Sequence, residues 1–242
     1  MEYRKTLLAG CVCALASGAA LGQDGWSGDV EAGMDLTSGN TDETSVNSRA
    51  DVTRDWADWR QNVVLQQRYT EQDDQRTAER YQANTQLDYK FTDHDYVFLR
   101  GRYDDDSFSG YDFQASASGG YGRRIWQESE SYLDTSVGAG YRYSRFSEPD
   151  EDEGRRREEP IGRFAANFRY SITPESTFRQ DLETEVGLDD GESLSKSVTS
   201  LQANLMESLA MRFSYTLERD SKPPEGVRNT DTITSITLLY DF

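Results

Sequence analysis

Long segments of this chain alternate apolar and polar residues at every second position. The clearest segment is the twelve residues 80–91, R-Y-Q-A-N-T-Q-L-D-Y-K-F. Side chains of a β-strand point alternately to its two faces, so each such segment predicts a strand with one apolar and one polar face. Strands of this length are long for a soluble protein and normal for strands that cross a membrane at a tilt.

We count about twelve such segments between Trp26 and the end of the chain. The connections between them alternate: every second one is short, as at Thr92–His94, and the others are mostly longer and rich in Asp and Glu, as at Asp104–Asp112 and Ser147–Pro160. This pattern is typical of bacterial outer-membrane barrels, which have an even number of strands, short periplasmic turns and longer outward loops. The predicted fold is therefore all-β: a single antiparallel up-and-down transmembrane barrel of about twelve strands.

The last segment, residues 230–242, places Ile236, Leu238, Tyr240 and Phe242 on one face. A long strand with an open edge invites aggregation, and a closed barrel removes that edge by pairing the last strand with the first. Tyr240 two residues before Phe242 is similar to the carboxy-terminal signal that the barrel-insertion machinery recognises. The alternative is the edge strand of a soluble β-sandwich.

The first 22 residues predict a cleaved signal peptide, which leaves 23–242 as the barrel. Arg4 and Lys5 precede an apolar run too short for a comfortable membrane helix, and Ala20-Leu21-Gly22 fits the small-residue rule for cleavage. A second candidate is the lipoprotein-like box at residues 8–11, although very few apolar residues precede it. Both cysteines, Cys11 and Cys13, lie in this segment, so the predicted mature chain excludes disulfides and thiolate chemistry.

The charge balance excludes some classes of function. The chain has 44 acidic against 26 basic residues, a formal net charge of −18. This balance argues against nucleic acid as a partner, because such binding needs Lys and Arg to neutralise phosphates. Such a charge in a hydrophilic chain would favour disorder, but the 14 Tyr, 10 Phe and 4 Trp residues argue against it.

The first predicted hairpin carries the one family resemblance that we find. Gly28, Gly33, the turn Ser38–Asp42 and the strand Ser45–Asp51 resemble the YdiY-like family of salt-induced outer-membrane proteins, a family without an assigned function. The resemblance implies an outer-membrane barrel and localisation in a Gram-negative cell envelope. It implies no catalytic or ligand-binding residues.

The polar faces of the predicted strands place many charges inside one lumen. We predict that this lumen is lined by six arginines and four carboxylates: Arg100, Arg102, Arg142, Arg163, Arg169, Arg179, Asp134, Asp181, Glu183 and Glu185. These charges could pair into a network that fills the barrel, or line a narrow polar passage for small solutes. A barrel of twelve strands lies between filled eight-stranded barrels and open sixteen-stranded porins, which favours a narrow or largely occluded pore.

Chemistry beyond the lumen has weaker support in the sequence. The loop residues Asp150, Asp152 and Glu153 are weak candidates for binding a divalent cation, but their spacing differs from that of a calcium loop and arginines follow them. A solvated acidic surface, suited to a saline habitat, explains them more simply. The single histidine, His94, lies in a predicted periplasmic turn, where an outer-membrane hydrolase could not use it. We therefore expect no enzyme and no cofactor.

Two hypotheses of function remain from the sequence, with an outer-membrane enzyme as a distant third. The first is a narrow passive channel or envelope-maintenance protein linked to salt or osmotic conditions. The second is a plugged structural barrel whose acidic loops bind cations or lipid head groups. Outer-membrane lipid is an expected partner in both.

Overall fold

The computed structural model describes residues 25–38, 43–72, 75–106, 109–150, 154–189, 191–223 and 226–242. Twelve antiparallel strands in these ranges form one closed barrel, in which each strand pairs with its neighbours in sequence and β12 pairs with β1. The predicted strand number and up-and-down topology are confirmed. Within the described ranges, no helix is both long and apolar enough to cross a membrane.

The strands run from 12 to 20 residues. In chain order they are β1 (Trp26–Ser38), β2 (Glu43–Asp55), β3 (Trp59–Gln72), β4 (Gln75–Lys90), β5 (Asp95–Asp106), β6 (Tyr111–Glu128), β7 (Ser131–Asp150), β8 (Gly154–Thr173), β9 (Ser176–Gly187), β10 (Ser193–Met206), β11 (Leu209–Asp220) and β12 (Thr230–Asp241). We call the end with the connections 56–58, 91–94, 129–130, 174–175 and 207–208 the turn end. The opposite end is the loop end.

The exterior of the barrel is apolar because the alternation of each strand directs its large hydrophobic side chains outward. Residues such as Leu99, Phe164, Phe213 and Ile236 are exposed there, with 48–64 % of their surface accessible. An outward apolar band is what a strand needs in contact with lipid. Near the turn end, the Arg54 guanidinium lies 5.0 Å from the ring of Trp26 and 4.6 Å from that of Trp56.

The barrel closes where β12 meets β1. Ten residue pairs join these strands, from Asp29 opposite Asp241 to Ser38 opposite Thr232. Phe242 continues the ladder by exchanging two backbone hydrogen bonds with Gly28, of 2.9 and 3.0 Å. Its ring lies over Gly28, so that a Cβ atom there would come within 3.1 Å of the ring. The Cβ atom of a larger residue at position 28 would also overlap the backbone carbonyl oxygen of Asp51.

Some predicted strand boundaries are wrong. The connection predicted at Ser147–Pro160 is mostly strand, since β7 continues to Asp150 and β8 begins at Gly154. The polar segment 71–77 also lies mostly in strands, because β3 ends at Gln72 and β4 begins at Gln75. These segments are too polar to alternate visibly, yet backbone pairing continues through them because a strand end that faces water needs no apolar side.

Two aromatic side chains of β5 fill part of the interior near the turn end. Tyr96 and Phe98 are only 6 % and 4 % exposed. They face glycines on the next two strands, so that a Cβ atom at Gly122 would overlap the Tyr96 ring and one at Gly138 would come within 2.9 Å of Phe98. The glycines create the space that these rings occupy, and the β5–β7 side of the interior is therefore packed.

Candidate functional site: the barrel interior

The interior of the barrel carries a nearly continuous set of ion pairs. We divide it into a loop half and a turn half, according to the nearer end of the barrel. Consecutive side chains along a strand point alternately outward and inward, and the inward ones are mostly polar. One face of every strand therefore lines the same lumen. The ten predicted lumen residues all lie within strands β5, β7, β8 and β9.

One ion pair of the loop half crosses the lumen between β4 and β11, strands that are separated on the shorter side by four others. Arg80 contacts Glu218 at 2.6 Å and also Asp104 at 2.7 Å. Arg102 contacts the same Asp104 at 3.0 Å, and Lys196 contacts Glu218 at 2.8 Å. Five charged side chains therefore form one chain across the lumen.

A second crossing joins β5 to β9 at the middle of the barrel. Glu183 accepts from Arg100 at 2.9 Å and from Arg163 at 3.1 Å. Arg100 and Glu183 are 14 % and 21 % exposed, so the pair still reaches water. Arg163 is 4 % exposed, and its guanidinium also lies 5.3 Å from the ring of Phe98. In the second crossing, Arg163 is therefore buried, whereas Arg100 and Glu183 contact solvent.

A cluster of buried charges lies at one side of the loop half. Arg142, only 1 % exposed, contacts Glu159 at 2.5 Å and Glu192 at 2.9 Å. Arg157 contacts Glu192 at 2.6 Å and lies 5.3 Å from the ring of Phe146. Glu192 lies in the connection after β9 and folds inward. Burial raises the pKa of the Glu192 carboxyl, and the neighbouring charge of Asp220 adds to the rise, while Arg142 and Arg157 oppose it.

A vestibule opens above these crossings at the loop end. The space that it leaves for the centres of water molecules is about 150 Å³. Charged side chains from both crossings line it, including Arg80, Arg102, Asp104, Glu183 and Glu218. The vestibule thus leads from the loop end to the two lumen-crossing ion pairs.

The turn half differs on the two sides of the barrel. On the side of β11, β1 and β2, Arg212 contacts Asp29 at 3.3 Å and Glu31 at 3.1 Å, while Arg49 contacts Glu31 at 3.2 Å and Asp51 at 2.5 Å. These pairs join charges of β11, β1 and β2, which are adjacent strands or are separated by β12 alone.

On the β8–β9 side of the turn half, charges remain unpaired. Arg169 lies directly opposite Arg179 in the register of these strands. Neither arginine forms an ion pair or a side-chain hydrogen bond with any described residue, and the Nε atom of each is buried without a partner. Asp181, two residues further along β9, is exposed although it faces inward. An exposed inward carboxylate indicates that water reaches this part of the lumen.

The remaining predicted residues have varied surroundings. Asp134 accepts from Arg124 at 2.7 and 2.8 Å near the turn end. Glu185 is 1 % exposed and accepts from Ser116 at 2.9 Å. Of the metal candidates, Asp152 and Glu153 lie outside the described residues, and Asp150 is the last residue of β7. Among the described residues, no group of three or more His, Cys, Asp or Glu is placed to hold a metal ion. His94 lies in the connection between β4 and β5, at the turn end.

Sequence reasoning missed several interior charges that the ion pairs depend on. Asp104 was predicted at the start of an acidic loop, which is wrong, since β5 continues to Asp106 and Asp104 is 5 % exposed between Arg80 and Arg102. Glu192 lies in the connection after β9, where nothing in the sequence pattern indicates burial, and it is only 1 % exposed. The two-residue period does extend to Asp104 from Arg100 and Arg102, and this was the signal that could have placed it inside.

The closed twelve-stranded barrel, with its apolar exterior and charged interior, defines the class: this is an outer-membrane β-barrel protein. The fold is similar to that of the NanC porin, with a TM-score of 0.58 and 14 % identity over 89 % of this chain and all of that one. It is also similar to an outer membrane channel from Pseudomonas putida F1, with a TM-score of 0.52 and 11 % identity over 90 % of this chain and 96 % of that one. At these identities the likeness concerns the fold.

The chain belongs to the family described as "Protein of unknown function, DUF481", whose model matches residues 30–242. It is 26 % identical over 220 residues to the uncharacterized protein YdiY of Escherichia coli K12, which covers 89 % of this chain and 82 % of that protein. The predicted family resemblance is thereby confirmed. The family carries no assigned activity.

Proposed function

We propose that the protein is a narrow passive channel of the outer membrane, in which the ion pairs across the lumen limit conduction. The observation that carries this proposal is the vestibule of about 150 Å³ that leads to the Arg80–Glu218 and Arg100–Glu183 pairs. Rings of charged side chains at a constriction select ions and small solutes. The fold that it shares with a porin and a channel supports the same reading at the level of architecture.

A link to salt conditions follows from the exposure of the second crossing. Arg100 and Glu183 retain contact with water, and dissolved ions screen charges that reach water, with a Debye length of about 10 Å at 0.1 M and about 3 Å at 1 M. The attraction between Arg100 and Glu183 should therefore weaken as the salt concentration rises, and the constriction should open more often. We expect the ratio of channel conductance to bulk conductivity to increase with salt concentration.

The proposal also includes the surroundings of the barrel. In it, the turn end faces the periplasm and the loop end faces outward, the exterior contacts outer-membrane lipid, and the barrel-insertion machinery recognises the segment that contains Tyr240 and Phe242. The supporting observations are the apolar exterior and the place of Phe242 at the turn end. That the protein is not an enzyme stays a prediction from the sequence.

Conductance of the purified protein in planar bilayers tests the channel. In the Glu183→Gln variant, Arg100 and Arg163 lose their carboxylate, so we expect a changed single-channel conductance and a reversal potential shifted towards anion selectivity. Asp112→Asn is the matched control, because Asp112 is 40 % exposed and pairs with Arg145 away from the lumen. A Glu183→Gln variant that conducts like the control would contradict the proposal.

The second candidate is a plugged structural barrel. It is favoured by the cluster around Arg142, whose burial at 1 % exposure is more typical of a packed core than of a water-filled pore. Its prediction for the same experiment is silence: no channel events from the wild-type protein at any salt concentration, in bilayers where a known porin conducts.

A further inference from the structure

The pairing of interior arginines has one exception, at Arg169 and Arg179. Every other buried or half-buried arginine on the interior face, among those whose side chains the structure describes, has a carboxylate within 4.0 Å. Arg169 and Arg179 have none, and the described part of the chain offers their side chains no hydrogen bond. These two residues therefore differ from the other interior arginines in having no carboxylate in contact.

The placement of the two arginines is unfavourable for stability. They are direct cross-strand partners on β8 and β9, and like charges in that relation destabilise a sheet. Arg179 also lies within electrostatic reach of Arg212, while the opposite charges that act on it come from Asp181 and from Asp29, which already contacts Arg212. An arrangement that costs stability and has no structural partner is characteristic of a binding site.

The solvent around the pair makes it accessible to a ligand. The buried Nε atoms lie against the barrel wall, and Asp181 on the same face is exposed to lumen water. Asp181 does not come within 4.0 Å of either guanidinium. Ser200, the neighbour of Arg179 on β10, and Asn167, the neighbour of Asp181 on β8, add hydrogen-bonding side chains to the same interior wall.

We propose that Arg169 and Arg179 form a binding site for a small oxyanion, a carboxylate or phosphate group, in the turn half of the lumen. The planar guanidinium presents a fork of donors that matches two oxygens of a carboxylate or phosphate. Two such forks side by side supply the charge and the donors that the protein itself leaves unused. The inference deepens the proposed channel function by naming the chemical class of its solute, but the site can bind whether or not the lumen conducts.

Calorimetric titration of the detergent-solubilised full chain tests the site, with acetate and inorganic phosphate as separate probes at constant ionic strength. We expect binding of at least one probe, weakened at least tenfold by Arg179→Gln and by Arg169→Gln. Arg179→Lys keeps the charge but loses the fork, and we expect an intermediate affinity. Asp181→Asn should strengthen binding because it removes a negative charge beside the site.

Arg123→Gln is the matched control. Arg123 is 60 % exposed at the turn end and contacts Asp95 at 3.5 Å, outside the proposed site. Binding of phosphate alone identifies a phosphate-type ligand, and binding of acetate alone identifies a carboxylate. Binding of both probes identifies the oxyanion chemistry that they share. Each of these results supports the inference if binding is lost only in the variants of Arg169 and Arg179. Absence of binding for both probes, or an equal loss in Arg123→Gln, would overturn it.

Heat-modifiable gel mobility shows whether each variant is folded, and the charge repulsion between the two arginines means that removing one should not unfold the barrel. The outcomes also separate this inference from the channel. If the barrel does not conduct but binds a probe that the arginine variants fail to bind, the binding site is supported and the channel is contradicted. If the barrel conducts but binds neither probe, the channel is supported and the binding site is contradicted.

Discussion

Arginines in the loop half and in the turn half of the lumen differ in whether a carboxylate compensates their charge. In the loop half, Arg142 is buried between Glu159 and Glu192, and its charge is compensated at 2.5 and 2.9 Å. In the turn half, Arg169 and Arg179 lie side by side with no carboxylate partner among the described residues. The first arrangement closes and stabilises one side of the barrel, whereas the second leaves charge available to water and solutes.

The difference shows that the count of charges does not decide the role of a lumen wall. A buried arginine that loses its partner is costly, while an arginine in contact with water is not. The placement of carboxylates on neighbouring strands therefore separates a structural wall from a binding wall. Removal of the paired Arg142 and of the unpaired Arg179 should therefore have effects of opposite sign on stability.

The largest expected effect is that of Arg142→Gln. It leaves Glu159 and Glu192 buried without their main cation, and we expect a loss of about 3–5 kcal/mol in the free energy of unfolding. Urea unfolding from lipid vesicles measures it. The control is Arg145→Gln, since Arg145 is 46 % exposed in its pair with Asp112 and should change stability by less than about 1 kcal/mol. Equal effects of both variants would refute the contrast between buried and exposed pairs.

The next effect concerns the packed side of the turn half. In Gly120→Ala, the new Cβ would overlap the carbonyl oxygen of Val137 and the Cα of Gly138, which are backbone atoms that cannot rotate away. We expect a loss of about 1–3 kcal/mol, measured by the same unfolding. Gly119→Ala is the control, since its Cβ meets only the Phe98 carbonyl oxygen, at 3.4 Å. A tolerated Gly120→Ala would mean that this wall is not closely packed.

A smaller effect is expected from pH in the loop half. Because the pKa of Glu192 is raised in the folded state, the folded protein holds this proton more tightly than the unfolded chain. Its contribution to stability is present at low pH and is lost as pH rises through the raised pKa, with a slope of at most about 1.4 kcal/mol per pH unit. Glu192→Gln should flatten this decline in unfolding experiments at several pH values. An unchanged pH profile in the variant would assign the decline to other groups.

The smallest effect, of opposite sign, is that of Arg179→Gln on stability. Removing one of two like charges that face each other should raise the free energy of unfolding by about 0.2–1 kcal/mol. Thermal loss of heat-modifiable mobility, compared with wild type at low salt, measures it. High salt should reduce the gain, since ions screen the repulsion. A clear destabilisation would show that Arg179 has a structural role.

Much of the architecture could be predicted from the alternation of residues. Segments such as residues 80–91 show the two-residue period clearly, so the strand number and the closed barrel follow from it. The boundaries between Ser147 and Pro160 could not be predicted, because strand ends outside the membrane are polar on both faces and the period disappears there.

The interior charges were predicted in part. The period identified Arg100, Arg142 and Glu183 as inward-facing, but it carries no information about which charge meets which. Asp104 was assigned to a loop and Glu192 lies in one. A local pattern cannot show that such an acidic residue meets an arginine from another strand.

The sequence by itself determined that this protein is a membrane barrel, because the period of its apolar residues reflects the alternation of side chains along each strand, which is a local property of the backbone. Only the tertiary structure decided which arginines are paired and which are left for a solute. That decision depends on distances across the lumen and on the register of strands far apart in the chain, such as β5 with β9, and neither quantity is encoded in any single segment.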